Sequence, residues 1–402
     1  MAKRFTVILM VLMVFSQYSI ADEFDFTLNG NGARAAAMGY AFTGLADDAT
    51  AISWNPAGLT QLYQMEASVI GRLGFGSASY EGFDSGIIDS WEADVSSSFQ
   101  LNFASFVVPF SVSNLNVAGG IAYRRVYDFT SEITQTVMGP GLLGDVEIYD
   151  NVEGGINSIA PSIGVQLNEM FSVGATVNIL SGTEDGNGEL SVDGVVDPSF
   201  DYDYSIDYSG VAIDLGVLIK ATDQFSLGAT FNLPHTRTVD YGSGFEIEAD
   251  APLFWTAGAA FRATDQLLLA FDYRSRPFSK IEGRGLFEGE TILEYDLSDS
   301  EDMNSIHVGL EFLMEAGNNF VPLRLGFYTD PSPHVDNNND QIVTNVFTAG
   351  LGIIMDKLII DGAFEWAMTS YEDVDPFTGN PVDFSGNGFR FTFGGTLHLG
   401  GN

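Results

Sequence analysis

The chain has 402 residues, of which 45% are hydrophobic, 13% aromatic and only 17% charged, with 45 Gly, 32 Phe and no Cys. A formal net charge of −38 excludes a nucleic-acid binder, which needs clustered cations, and the missing Cys excludes disulfides and thiolate metal sites. Soluble domains average about 25% charged residues, and beyond the leader no run of about twenty apolar residues is present to build a spanning helix. Abundant Phe, Tyr and Gly at moderate hydropathy point to a membrane β-barrel, in which only alternate residues meet lipid.

In chain order, Met1–Ala21 reads as a secretory signal peptide: Lys3 and Arg4 open it, Phe5–Phe15 form its apolar core, and Ser19-Ile20-Ala21 supplies a small-x-small cleavage site. The mature chain is expected to begin at Asp22. Residues 22–64 follow as a distinct unit around Asn29–Leu62, rich in Ala and Gly and almost free of alternation. Ala49–Trp54 reads as a short helix stopped at Asn55-Pro56, because proline disfavours helix for the residue before it. Asp47-Asp48 either cap its start or form a solvated pair. A short, small-residue segment ahead of a long β succession predicts a plug enclosed by that β-structure.

From Met65 to the end, segments of roughly ten residues alternate with period two. In Phe171–Ile179, Phe171, Val173, Ala175, Val177 and Ile179 share one face; Ser172, Gly174, Thr176 and Asn178 share the other. Phe225–Leu233, Lys357–Met368 and Gly388–Leu399 repeat the pattern. About fourteen such segments are expected, near 65–75, 99–110, 115–126, 155–167, 171–181, 206–220, 224–234, 251–263, 266–274, 304–315, 319–328, 342–354, 357–368 and 386–399. An even number suits a single-chain bacterial barrel. The connections alternate tight turns with long polar loops near 76–98, 127–154, 182–205, 235–250, 275–303, 329–341 and 369–385. That asymmetry predicts periplasmic turns, external loops, and both barrel ends on the periplasmic side, with the 29–62 segment entering from there. About fourteen strands enclose more space than wall side chains fill, so a plug is needed to exclude water.

The N-terminal segment carries Gly32-Ala33-Arg34-Ala35, Met38-Gly39, Ala41-Phe42, Ala46-Asp47-Asp48-Ala49 and Asn55-Pro56-Ala57-Gly58-Leu59 in one order. This wording resembles the N-terminal signature of the long-chain fatty acid and hydrocarbon transporters of the bacterial outer membrane, the FadL and TodX kind. The resemblance implies passive passage of long-chain fatty acids or other hydrophobic compounds, contact with outer-membrane lipid and lipopolysaccharide, no cofactor, and release of cargo through a gap in the wall. Gly119-Gly120 in the third strand then mark a candidate kink, since glycine weakens strands and allows bends. Arg34 either pairs with a wall carboxylate or holds a ligand carboxylate; Arg324 and Arg390 are further candidates for that second role. The other expected inward ionisable residues are Asp214, Arg262, Asp272, His307, Glu311, Asp361 and Glu365.

Two alternatives stay open: a similar barrel that acts in protein secretion and surface attachment, and a small-solute porin. An enzyme is not expected, because no G-x-S-x-G, H-E-x-x-H or P-loop occurs and His235, His307, His334 and His398 fall on separate segments. Asp336–Asp340 resembles half of a calcium loop, but Gln341 and Phe347 stand where its Gly and Glu belong. The chain closes on His398-Leu399-Gly400-Gly401-Asn402, without the terminal aromatic of many such barrels.

Overall fold

The computed structural model describes residues 30–400 apart from 85, 87, 140–144, 199 and 376, so the leader lies outside the described residues. Fourteen strands form the wall: β1 Met65–Glu81, β2 Gln100–Val112, β3 Leu115–Asp128, β4 Val146–Gln166, β5 Phe171–Val192, β6 Tyr202–Lys220 and β7 Phe225–Asn232. The second half comprises β8 Phe254–Arg262, β9 Leu267–Ser275, β10 Ser305–Ala316, β11 Asn319–Val335, β12 Gln341–Ile354, β13 Leu358–Val374 and β14 Pro381–Leu399. Each pairs antiparallel with its neighbours in sequence, and β1 pairs with β14 from Met65↔Leu399 to Glu81↔Asp383, which closes the barrel. Every segment expected from alternation is one of these strands.

The two faces separate as the alternation requires. On β5, Phe171, Val173, Val177 and Ile179 are exposed outward, whereas Ser172, Thr176 and Asn178 are buried inside. Phe106, Phe110, Ile121, Leu269, Phe271 and Leu351 continue this exposed apolar band on other strands. An apolar band around a closed barrel is the surface that a bilayer covers.

The long connections differ from the expected polar loops, because much of their length is β-structure. Ser90–Ser96, Ser131–Met138, His235–Asp240, Phe245–Ala251, Glu282–Phe287 and Glu290–Asp296 are additional strands, and β4 and β5 pair as far as Val146↔Val192. Beyond the apolar band the outer face meets water and is polar, while the inner face still buries small apolar clusters such as Trp91, Val137, Val146, Ile148 and Leu190, and backbone pairing continues.

Residues 30–62 lie within the lumen and are buried almost throughout. They form α1 (Ala33–Ala37), α2 (Ala51–Trp54) and a 3-10 turn at Pro56–Gln61. Met38, Phe42, Ile52 and Leu59 of this segment pack with wall residues such as Phe103, Val107, Leu268 and Val346 in the main core. The segment starts on the long-loop side, where Gly30 lines a cavity with Phe254 and Arg276, and descends to the short-turn end at β1.

Candidate functional site

A chain folded into such short helical pieces leaves many backbone groups without internal partners, and buried ones must be satisfied elsewhere. The wall supplies them. Asp272 Oδ2 accepts from the amides of Phe42 and Thr43 at 3.0 and 2.8 Å, and Glu66 accepts from Ala49 N at 3.0 Å. Thr348 accepts from Gly39 N and donates to Ala37 O, while His307 Nδ1 lies 2.8 Å from Gly39 O. Asn55, fully buried, donates to Thr43 O and Val217 O and accepts from Ala57 N, so it ties the turn before Pro56 to β6.

Such bonds require the two backbones to approach closely, and glycines on the inner wall allow it. Gly174 is the cross-strand neighbour of Gly164 and Gly216, Gly228 of Gly258, and Gly309 of Gly326. A Cβ at Gly174 would lie 2.3 Å from Pro56 C, one at Gly228 would lie 2.1 Å from Thr43 O, and one at Gly326 would lie 2.2 Å from Gly39 N. Opposite them, Met38, Gly39, Pro56 and Ala57 present their own backbone to the wall. Gly32, Gly39 and Gly58 serve the segment's own folding: the first two have φ of 131° and 61°, and a Cβ at Gly58 would collide with Ala46.

The charged residues of the motif are placed as follows. Arg34 binds both oxygens of Glu311 on β10 and reaches Asp47 at 2.6 Å. Asp48 accepts from Thr50 N and Oγ1, and so shapes the turn that enters α2. Arg324 joins Glu311 and Asp361, both at 2.6 Å. Arg390 pairs with Glu365 at 3.4 Å, and Glu365 also accepts from the hydroxyls of Tyr40 and Tyr328. Arg34 and Arg324 are thus neutralised by wall carboxylates, and Arg390 keeps an exposed edge toward the cavity above. Arg262 stands apart at the short-turn mouth, beside Lys220 and Leu45.

The wall opens away from Gly119 and Gly120. The β2–β3 ladder runs unbroken through Val108↔Gly119 and Val107↔Gly120, and a Cβ at Gly120 would meet Ile52 of α2 at 3.2 Å, so this glycine admits the inner segment. The ladder ends at Phe103↔Arg124 and resumes only at Ser96↔Glu132. Over the intervening residues, 97–102 and 125–131, no rung joins the two strands. Two irregularities accompany the parting, one opposite Ile70/Gly71 where Asn102 is passed over, and one at Arg125/Tyr127 where Val126 is passed over. Bulges of this kind bend a strand and end its pairing. Side chains alone span the gap: Arg125 donates to Gln100 Oε1 at 2.6 Å, and Asn31 Nδ2 donates to Asn102 Oδ1 at 2.7 Å and approaches the carbonyls of Asn102 and Arg125.

Two cavities lie over the inner segment, on the long-loop side. The first is a narrow cleft of about 70 Å³, with Gly30, Thr43 and Trp54 beneath it and Trp255, Arg274 and Arg276 beside it. The second, about 470 Å³, runs from Asn102 and Arg125 at the parted strands to Arg72, Arg276 and Arg390. Arg276 lines both, so the cavities adjoin. His334 borders the second cavity; burial pushes its pKa below the ordinary value and leaves the ring neutral near pH 7. Sequence reasoning missed Arg72 and Arg274. Arg274 follows the inward Asp272 at the two-residue step of β9, which was the available signal.

No family model matches the chain, and neither does any curated protein. Solved structures do match its fold. A FadL homologue from Pseudomonas aeruginosa superposes with a TM-score of 0.62 at 14% identity, over 93% of this chain and all of that one. The P. putida toluene transporter TodX gives 0.62 at 12% identity, with the same shares of each chain covered. The Ralstonia pickettii toluene transporter TbuX gives 0.57 at 15%, again over 93% of this chain and all of its own. The chain has the fold of these barrels.

Proposed function

We propose that this protein is a passive outer-membrane channel for hydrophobic molecules, with residues 30–62 acting as its plug. Cargo enters among the long external strands, rests in the cavities over Trp54, and leaves sideways between β2 and β3 into the bilayer. One observation carries this reading: the lumen is filled below the cavities, while the wall beside them is parted. Straight passage is blocked there and lateral passage is not. A water-filled pore would not dissolve such cargo, whereas a short route from the cleft over Trp54 into lipid keeps it out of water. The filled lumen also argues against a small-solute porin. The structural neighbours described as toluene transporters support the class of cargo. The acidic external strands would face lipopolysaccharide, with divalent cations between them.

The test is uptake of labelled hydrophobic compounds by cells that lack their own transporter, with wild type and Asn55→Ala compared at matched outer-membrane levels. Wild type restores uptake. Asn55→Ala loses it, because the hydrogen bond that ties the plug to β6 and two that shape the plug itself disappear. A correctly inserted wild-type barrel that takes up nothing overturns the proposal.

A further inference from the structure

The inner segment starts beside the parted strands. Asn31 Nδ2 donates to Asn102 Oδ1 at 2.7 Å and lies 3.3 and 3.4 Å from the carbonyls of Asn102 and Arg125, at the short-turn end of the gap. Cleavage after Ala21 leaves eight residues ahead of Gly30, Asp22-Glu23-Phe24-Asp25-Phe26-Thr27-Leu28-Asn29. Their order repeats the wall's own signature, with Phe24, Phe26 and Leu28 alternating with Glu23, Asp25 and Thr27. The gap offers both of the faces that such a pattern needs. On its lipid side Phe99 is 63% and Leu101 44% exposed. On its lumen side stand Arg72, Arg125 and Arg390. Arg125 pairs with Asp128, and Arg390 with Glu365. Arg72 has no carboxylate partner among the described residues; it donates to the Tyr40 hydroxyl at 3.3 Å, and its Nε is buried without a partner. It is the rung partner of Gln100, on the edge of the gap.

We propose that residues 22–29 dock along the gap as a short added strand, antiparallel to residues 125–131, and close the lateral exit until cargo displaces them. This rests on the transport reading above and supplies its latch. The direction follows from the chain: a segment that comes down to Asn31 from the long-loop side runs with β2 and against β3. Its reach suffices, since eight extended residues span about 26 Å and the stretch 97–102 about 20 Å. Residues 97–102 and 125–131 share no rung across the gap, and an added strand gives their backbone groups partners. With Phe24, Phe26 and Leu28 turned to lipid beside Phe99 and Leu101, Glu23 and Asp25 face the lumen. There a carboxylate forms charge-assisted hydrogen bonds with the guanidinium of Arg72. A hydrophobic molecule leaving through the gap occupies the same apolar path, so exit and docking exclude one another.

The test is disulfide trapping in the full chain, which has no cysteine of its own. Thr27→Cys is combined with Gln100→Cys at the gap, or with Ser332→Cys on the far side of the second cavity. In outer-membrane vesicles the docked segment should cross-link to position 100 about tenfold faster than to position 332, by its higher effective concentration there. Adding Glu23→Gln and Asp25→Asn should slow the cross-link at position 100 about tenfold, the loss of one charge-assisted hydrogen bond. Deletion of residues 24–28 should raise hexadecane uptake several-fold in transporter-deficient cells, with the barrel's heat-modifiable gel mobility unchanged. Equal trapping at the two positions, faster trapping at position 332, or uptake unmoved by the deletion overturns the inference. So does N-terminal sequencing that finds the leader retained. Trapping is read without transport, so a barrel that traps the segment at the gap and takes up no hydrophobic compound overturns the transport reading alone.

Discussion

The floor of the lumen and the parted wall beside the cavities are built from the same strands, yet they are held together in opposite ways. At the floor, backbone meets backbone across glycines, and buried side chains such as Asp272, Thr348 and Asn55 fix the inner segment from several directions. At the gap, the backbone ladder is missing and Asn31, Gln100, Asn102 and Arg125 make the side-chain contacts across it. Closed packing tolerates little displacement, whereas a contact of a few polar side chains opens at small cost. On the proposed route, the difference places the rigid part of the barrel where solutes would be stopped and the adaptable part where they would leave.

The strongest way to break this contrast is to enlarge the floor. Gly326→Val puts atoms where Gly39 N now lies, and overpacking of this kind costs about 3 kcal/mol. The inner segment must then shift, and single-channel recording in a planar bilayer should show ion conductance that wild type lacks. A silent Gly326→Val barrel would mean that the inner-wall glycines are not what seats the segment. Next in size is a block at the gap. Gln100→Cys with Arg125→Cys, in a chain that has no other cysteine, allows a cleavable thiol cross-linker to tie β2 to β3. Cross-linking should abolish uptake and reduction should restore it, with conductance unchanged throughout. Uptake that survives complete cross-linking would remove the lateral route. The smallest effect is expected from Asn31→Ala, which leaves Asn102 and Arg125 without the amide between them, at about 1 kcal/mol. Amide hydrogen exchange at residues 100–102 should rise, while exchange at the floor near Gly39 stays slow.

The wall was legible in the sequence because lipid on one side and water or polar packing on the other impose period two on every strand. Strand ends were not, since strands such as β4 and β5 continue past the lipid, where the outer face no longer demands apolar residues and only a few inward ones such as Val146, Ile148 and Leu190 are buried. The inner segment was recognisable by its small residues, but its partners were not. Nothing local to Arg34 indicates that Glu311 and Asp47 will meet it, because contacts across a barrel depend on shear and register. The parting of β2 and β3 was likewise hidden: it follows from residues passed over in the ladder at Asn102 and Val126, and neither position carries a glycine or proline that marks it. Gly119-Gly120 offered the more visible signal, and the structure uses Gly120 to admit Ile52.

The seam between β1 and β14 bears on how the protein is assembled. It joins residues 65–81 to residues 383–399, the most distant pairing in sequence that the wall makes. Contacts at such separation form slowly, because the intervening chain must first be ordered. Residues 30–62 are synthesised before any strand, yet their partners are spread from Glu66 on β1 through Asp272 on β9 to Glu365 on β13. The segment can acquire its full set of partners only as the wall curls around it, so the last rung of the seam and the seating of the segment belong to one late, cooperative step of biogenesis.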